Sequence, residues 1–271
     1  MKIKLLSLIL EASVGNFSCI QSKNGSNGVM FSHILSDSGK GEVIEKTYAL
    51  DFDELQISTG LNAEVYKSQK EQIVVYAPSD LMQYIMVKQE GRKVTVKIES
   101  KGFKNISTDR IKIKVYAREF DKLAASSSGS VVLKDDFSFS DLDVKVSSSG
   151  NIKGNISGNN INIQASSSGD FYGDVVAKNL NLQTSSSGGI NIKGKANNVT
   201  AQASSSGDIK AENLTAENAI LTTSSSADIT LGVSQSLTAS ASSSGDINVV
   251  KRGSLNNVMK NESSSGSVNI R

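Results

Sequence analysis

The stretch Ile161-Asn162-Ile163-Gln164-Ala165-Ser166-Ser167-Ser168-Gly169-Asp170-Phe171 decides how this chain is read. Ile161, Ile163 and Ala165 alternate with Asn162 and Gln164, the period of a half-buried β-strand. Three serines and a glycine then interrupt it. The same phase returns in Leu180, Leu182 and Thr184, in Val199, Ala201 and Ala203, and in Leu237, Ala239 and Ala241, each followed by the same break. The breaks start at Ser126, Ser147, Ser166, Ser185, Ser204, Ser224, Ser242 and Ser263, with Ala227 once in place of Gly, so they lie 21, 19, 19, 19, 20, 18 and 21 residues apart. A period near twenty marks a solenoid, in which each repeat forms one coil stacked on the last.

Beyond each corner glycine comes a turn-favouring residue and then Ile152, Phe171, Ile190, Ile209, Ile229, Ile247 or Val268, which open a second strand. Twenty residues at the rise of a strand give a perimeter of about 65 Å, enough for two or three short strands around a thin core. The fold class is therefore all-β, a parallel β-helix of about eight coils. Carrying the alternation through the corner points the middle serine inward. Ser127, Ser148, Ser167, Ser186, Ser205, Ser225, Ser243 and Ser264 are thus expected to form an internal hydroxyl ladder. The glycine is expected to supply a positive φ or a close backbone approach.

Composition narrows the possibilities. The chain has 271 residues with one Cys, one Pro, one His, no Trp and 5% aromatics, so its core is filled by Ile, Val, Leu and Ala. A single Cys excludes a disulfide scaffold and a single His excludes a His-rich metal cage. No cofactor motif is present. A net charge of +2 selects no partner by bulk electrostatics.

Lys2 and Lys4 precede the apolar run Leu5 to Leu10, and small or polar residues lead from there to Ser18 and Cys19, the layout of a secretory signal. The site resembles a bacterial lipoprotein cleavage site, although Glu11 interrupts the run and Asn16 stands three before the cysteine. Residues 1–18 are read as signal peptide, Cys19 as the lipid attachment site, and 19–41, polar and Gly-rich, as a flexible tether. The location implied is exported, an outer-membrane or surface lipoprotein, with a periplasmic or secreted form as the alternative. Residues 42–122 read as a β-rich region capping the solenoid, and 123–271 as the repeats. Strands are expected at Tyr48 to Phe52, Leu55 to Ser58, Ala63 to Tyr66, Gln72 to Ala77, Lys93 to Glu99 and Arg110 to Tyr116, with a short helix at Ser79 to Met86 after Pro78. Lys88 to Lys122 holds eleven basic against five acidic residues, which solvated strand faces explain, so no nucleic acid is expected as a partner.

The opening Phe52-Asp53-Glu54-Leu55-Gln56-Ile57-Ser58, the strand Ile73 to Tyr76 running into Pro78 to Leu81, the strand Ile111 to Tyr116 and corners such as Ser205-Ser206-Gly207-Asp208-Ile209 come in a telling order. This arrangement resembles the putative auto-transporter adhesin family with the head GIN domain, over roughly residues 45 to 271. The resemblance implies a right-handed β-helix reached through an all-β N-terminal region, and a place in the cell envelope of Bacteroidetes-like bacteria. It implies no settled biochemical activity.

Of the polar constellations, the residue after the corner is the sharpest. Asp208, Asp228 and Asp246 fall in one column about 4.8 Å apart, with Asp170 further along it. Such a column either attracts a cation or ligand or consists of turn residues turned to solvent. Tyr172 is expected on the surface, where it could stack on a sugar, while Phe171 fills the core. A polysaccharide-degrading β-helix would need carboxylates such as Asp208 beside Lys210, or Asp170 with Asp174, yet repetition alone accounts for both pairs. Thr200, Thr222, Thr230 and Thr238 are too few for a threonine-ladder surface, leaving outward Asn and Gln as plain polar ladders. The reading is a non-enzymatic adhesin or structural β-helix, with polysaccharide binding or degradation as the alternative. Its partners would be a cell-surface glycan or protein, the membrane through a lipid anchor, or a second copy at the end near Asn269 to Arg271, which is expected to be exposed or paired.

Overall fold

The computed structural model describes residues 37–99 and 105–271. The expected signal peptide, Cys19 and the tether up to residue 36 lie outside the described residues. From Val43 onward the chain is built of strands, and no α-helix occurs among the described residues. The N-terminal strands are β1 (Val43–Ala49), β2 (Glu54–Ser58), β3 (Asn62–Lys67), β4 (Gln72–Pro78), β5 (Ile85–Glu90), β6 (Lys93–Ile98) and β7 (Lys112–Ala117). The helix expected after Pro78 shrinks to one 3-10 turn, Met82–Tyr84, because Ile85 to Glu90 pairs antiparallel with β6 instead.

The solenoid follows with β8 (Lys122–Ser126), β9 (Ser130–Leu133), β10 (Phe137–Val146), β11 (Asn151–Lys153) and β12 (Ile156–Ser166). Longer strands bent around the coil come next: β13 (Asp170–Ser185), β14 (Gly189–Ala203), β15 (Asp208–Thr223) and β16 (Asp228–Ala241). It finishes with β17 (Asp246–Lys251), β18 (Asn257–Glu262) and β19 (Ser267–Ile270). All these strands stack in parallel. Ile161 lies beside Leu180, Leu180 beside Val199 and Val199 beside Ala219, so like residues of successive repeats share a column. Most inward residues are buried and aliphatic; Phe171, Thr184 and Thr223 are buried exceptions, and a further aromatic cluster has Phe120 5.4 Å from Phe137 and 5.1 Å from Phe139.

Stacking begins earlier than residue 123. β2 pairs in parallel with both β6 and β8, and β3 with both β7 and β9, so β2 and β3 already form a coil. Its corner is Ser58-Thr59-Gly60-Leu61, in line with Ser126 to Gly129. Below that coil the sheets continue through antiparallel neighbours, β5 on β6, β4 on β7 and β1 on β4. Arg92 forks onto Asp53 and reaches Asp51 at 3.0 Å, which ties the start of β2 to the β5–β6 turn.

The corner corrects the expected internal ladder. All eight middle serines, Ser127, Ser148, Ser167, Ser186, Ser205, Ser225, Ser243 and Ser264, are exposed. The second and third serines are left-handed, with φ of 49° and 61° at Ser127 and Ser128, so β alternation stops there and three successive side chains point outward. What stacks is main chain. The amide of each third serine donates to the carbonyl of the middle serine one coil on, as in Ser128 to Ser148 at 3.0 Å and Ser149 to Ser167 at 3.0 Å. These bonds offset the strain of two left-handed residues, of order 1–3 kcal/mol each.

The glycine has the other role assigned to it, close approach, and not the positive φ. A Cβ on Gly169 would sit 2.6 Å from the Ser147 nitrogen, and one on Gly188 2.4 Å from the Ala165 carbonyl oxygen. Ala227 shows what a methyl does there. The turn bond from the corner residue back to the first serine, 2.9 Å at Gly207 and Gly245, is not made at Ala227, and the next coil-to-coil bond, Asp228 to Gly207, stretches to 3.3 Å. Leu61 is tolerated because the strands beneath it, β6 and β7, are not joined by a serine corner.

The far end is closed by its own side chains. In β18, Lys260 lies beside the inward Ala239 and Glu262 beside the inward Ala241, so two charges stand where the core would continue. Ser267 and Arg271 bond back to Gly245 and Val249, which leaves the main chain of Val268 pointing off the end. Lys260 Nζ donates to the Val268 carbonyl at 2.7 Å, and Glu262 Oε1 accepts from the Val268 amide at 2.6 Å. The edge expected to lie bare near Asn269 to Arg271 is therefore occupied at Val268. Inward charges of this kind oppose the addition of another strand.

Candidate functional site

Each corner separates two faces of the rod. On the face after the corner, register places Asn151, Asp170, Gly189, Asp208, Asp228, Asp246 and Ser267 in one column. Asp208, Asp228 and Asp246 are consecutive, while Gly189 separates Asp170 from them. Local partners hold two of these carboxylates: Lys210 lies 3.4 Å from Asp208, and Ser267 Oγ donates to Asp246 Oδ1 at 2.6 Å. Burial, then the like charges of Asp208 and Asp246, raise the Asp228 carboxyl above its ordinary value. Among the described residues no group of three or more His, Cys, Asp or Glu is placed to hold a metal ion.

Tyr172 stands on the same face, 38% exposed, with Lys153 and Asn191 as its neighbours in the adjoining coils and Phe171 buried beneath the sheet. It borders a notch of about 150 Å³ that also takes in Asp170, Asn191, Asp208 and Lys210. Of the pairs offered for catalysis, Asp208 faces Lys210 on its own strand at the surface, whereas the partner of Asp174 is not Asp170 but Lys193 of the next coil, at 3.2 Å.

The face before the corner has a different chemistry. Asn160, Asn179, Asn198 and Asn218 form a continuous ladder in which each Nδ2 donates to the Oδ1 one coil back, at 2.8 Å, 3.0 Å and 3.1 Å. The ladder ends on a carboxylate, where Asn160 donates to Asp141 at 2.6 Å. Two residues along, Asn181 donates to Asn162 at 3.0 Å and Asn162 to Asp143 at 2.9 Å. A third bond of the kind joins Asn155 to Asp136 at 3.1 Å. The ladders follow from the outward polar alternation, but the row of Asp136, Asp141 and Asp143 that receives them was not singled out in the sequence. Its only signal there is Asp standing nineteen residues before each Asn.

A groove of about 710 Å³ runs between the two asparagine ladders. Charge on this face is confined to its N-terminal end, at Asp121, Lys122, Asp141, Asp143 and Lys145. From Asn160 to Ser263 every outward position of the six pre-corner strands is uncharged: Asn, Gln, Ser or Thr, with Ile220 and Met259 as apolar exceptions at 56% and 69% exposure.

No curated protein sequence is similar enough to count as a relative. Solved structures share the fold. One described as a putative lipid binding protein, from Parabacteroides distasonis, superposes with a TM-score of 0.79 at 23% identity over 86% of this chain and 98% of its own. Putative adhesins from Parabacteroides merdae and Bacteroides fragilis give 0.75 at 17% and 0.64 at 18% identity, over 86% of this chain and 98% and 99% of theirs. Residues 51–253, from the start of the first coil to just beyond β17, match a family profile, and the chain belongs to that family, described as "Putative auto-transporter adhesin, head GIN domain".

Proposed function

We propose that this protein is exported, is held at the cell surface through an acylated Cys19, and acts without catalysis as an adhesin. The observation that carries the reading is the in-register repetition of one set of side chains along the pre-corner face. A stack of coils holds these groups at fixed intervals on a rigid support, which suits contact with an extended surface more than enclosure of a small molecule. The strand cores are filled, so a partner meets the outside of the coils. Residues 19–41 would serve as the tether, and the β-rich segment 42–122 would lie toward the anchored end.

Beads coated with the purified chain should adhere to bacterial or host-cell surfaces, and equal adhesion by beads coated with an unrelated β-helix would defeat the reading. For the anchor, Cys19→Ala should move the protein from the membrane fraction to the soluble fraction; unchanged retention would remove acylation from the account. Release of product from an acidic polysaccharide, lost in Asp208→Asn, would favour the degradative alternative.

A further inference from the structure

We propose that the pre-corner face from Asn160 to Ser263 is a docking surface for a neutral polysaccharide chain. The inference rests on the adhesin reading and names the chemistry of its partner. Three features of the face carry it.

The first is charge. The outward positions of six successive strands carry no ionised group, while the post-corner face of the same coils carries Asp170, Asp208, Lys210, Glu212, Asp228 and Asp246. A surface selected only for solubility would not divide its charges so sharply at the corner. A polyanion or a charged protein epitope would find no complement there, whereas a polyhydroxyl chain meets partners of its own polarity.

The second is unused hydrogen-bonding capacity. An asparagine side chain has two N–H donors and two oxygen lone pairs. The ladder consumes one of each, as between Asn179 and its neighbours Asn160 and Asn198. One donor and one lone pair per residue remain, side by side, in the arrangement that vicinal hydroxyls of a sugar can bridge. The ladder also fixes each amide in one orientation, so little side-chain freedom is lost on binding.

The third is shape and repetition. The groove of about 710 Å³ is open along the rod from Asp121, Lys122, Asp141 and Asp143 at its charged end to Asn198 and Thr200, so its uncharged part begins at Asn160, and beyond it the coils continue at about 4.8 Å with outward Asn, Gln, Ser and Thr. A polymer can therefore occupy several coils at once, and weak contacts add through multivalency. A second copy of this chain is less well served. Two such faces pressed together would desolvate their amides while burying only Ile220 and Met259 as large exposed apolar groups.

The full chain is titrated calorimetrically with neutral mannan, dextran and laminarin, and with anionic polygalacturonate and alginate. Binding to at least one neutral polymer is expected, with an affinity that changes less than about twofold between about 0.05 and 0.5 M salt, because no ion pair is screened. Asn181→Asp should weaken it about tenfold or more. Should that change disturb folding, Thr200→Glu places a charge in the same column without breaking a ladder bond, and the same loss is expected. Asp208→Asn, on the other face, should leave binding unchanged. Binding only to the anionic polymers, a steep salt dependence, equal loss in Asp208→Asn, or no loss in either charged variant would overturn the proposal. Bead adhesion read in parallel separates the two ideas. Adhesion that persists without binding of any neutral polymer, or that is abolished by protease treatment of the target cells, sinks the polysaccharide and spares the adhesin, whereas loss of both sinks the two together.

Discussion

Two faces built from the same coils, one on each side of the serine corner, have been given opposite chemistries. Before the corner, Asn160, Asn179 and Asn198 satisfy one another by donating in one direction along the rod. After it, Asp208, Asp228 and Asp246 repel one another and rely on Lys210 and Ser267 for relief. Stacking puts identical residues side by side, so an amide gains from repetition and a carboxylate loses. An amide is donor and acceptor at once; a carboxylate only accepts. Repetition thus favours neutral side chains wherever they must stand in unbroken columns, and charge survives where neighbours vary.

The largest break in this comparison comes from the corner that keeps the faces apart. Gly169→Val would drive its side chain into the backbone of Ser147 and Val146, and a loss of about 3 kcal/mol is expected from urea unfolding. Next comes the end of the rod. Replacing Lys260 and Glu262 together by Val extends the apolar columns to the open edge and frees the Val268 main chain. Sedimentation should then show concentration-dependent association absent from the parent, and an unchanged profile would mean that these two side chains are not what blocks stacking.

A smaller effect, of opposite sign, is expected within the pre-corner strands. Thr223 is buried with an Oγ1 that has no partner, so Thr223→Val should raise stability by about 1 kcal/mol. Smallest of all, Asp228→Asn would make one position of the charged column resemble the amide side. Because the folded Asp228 carboxyl sits above its ordinary value of 3.8, the folded state holds its proton more tightly than the unfolded state, and stability falls as pH rises through that range. The variant should therefore be the more stable one at neutral pH, by under about 1 kcal/mol since the site is exposed, and the difference should vanish in acid. Thermal unfolding at two pH values reads it.

Much of this was legible beforehand. Alternation around Ile161 and Leu180 gave the strands and their inward faces, and the spacing of the corners gave the columns. The inward placing of Ser127 and its equivalents failed because it assumed an extended backbone through the corner. Serine carries no general preference for the left-handed region, and its adoption there depends on main-chain bonds to the next coil that only the stack supplies. The coil of β2 and β3 was missed for the complementary reason. With no serine corner beneath it, Leu61 needs no glycine, and the signature disappears although the geometry persists. Of the candidate site, the polar outward alternation could be read, but its uncharged extent emerges only once residues nineteen or more apart are laid side by side.

The one-way amide ladder has a consequence for how such a rod can vary. Its acceptor terminus is Asp141, and at its other limit Asn218 Oδ1 accepts from Ser236 Oγ at 2.7 Å. A whole coil carrying Asn in this column, inserted or removed between these bounds, meets an acceptor on one side and a donor on the other. Length is then an adjustable trait of the ladder, changing in steps of about 4.8 Å by duplication of a coil while the residues at its two limits stay the same.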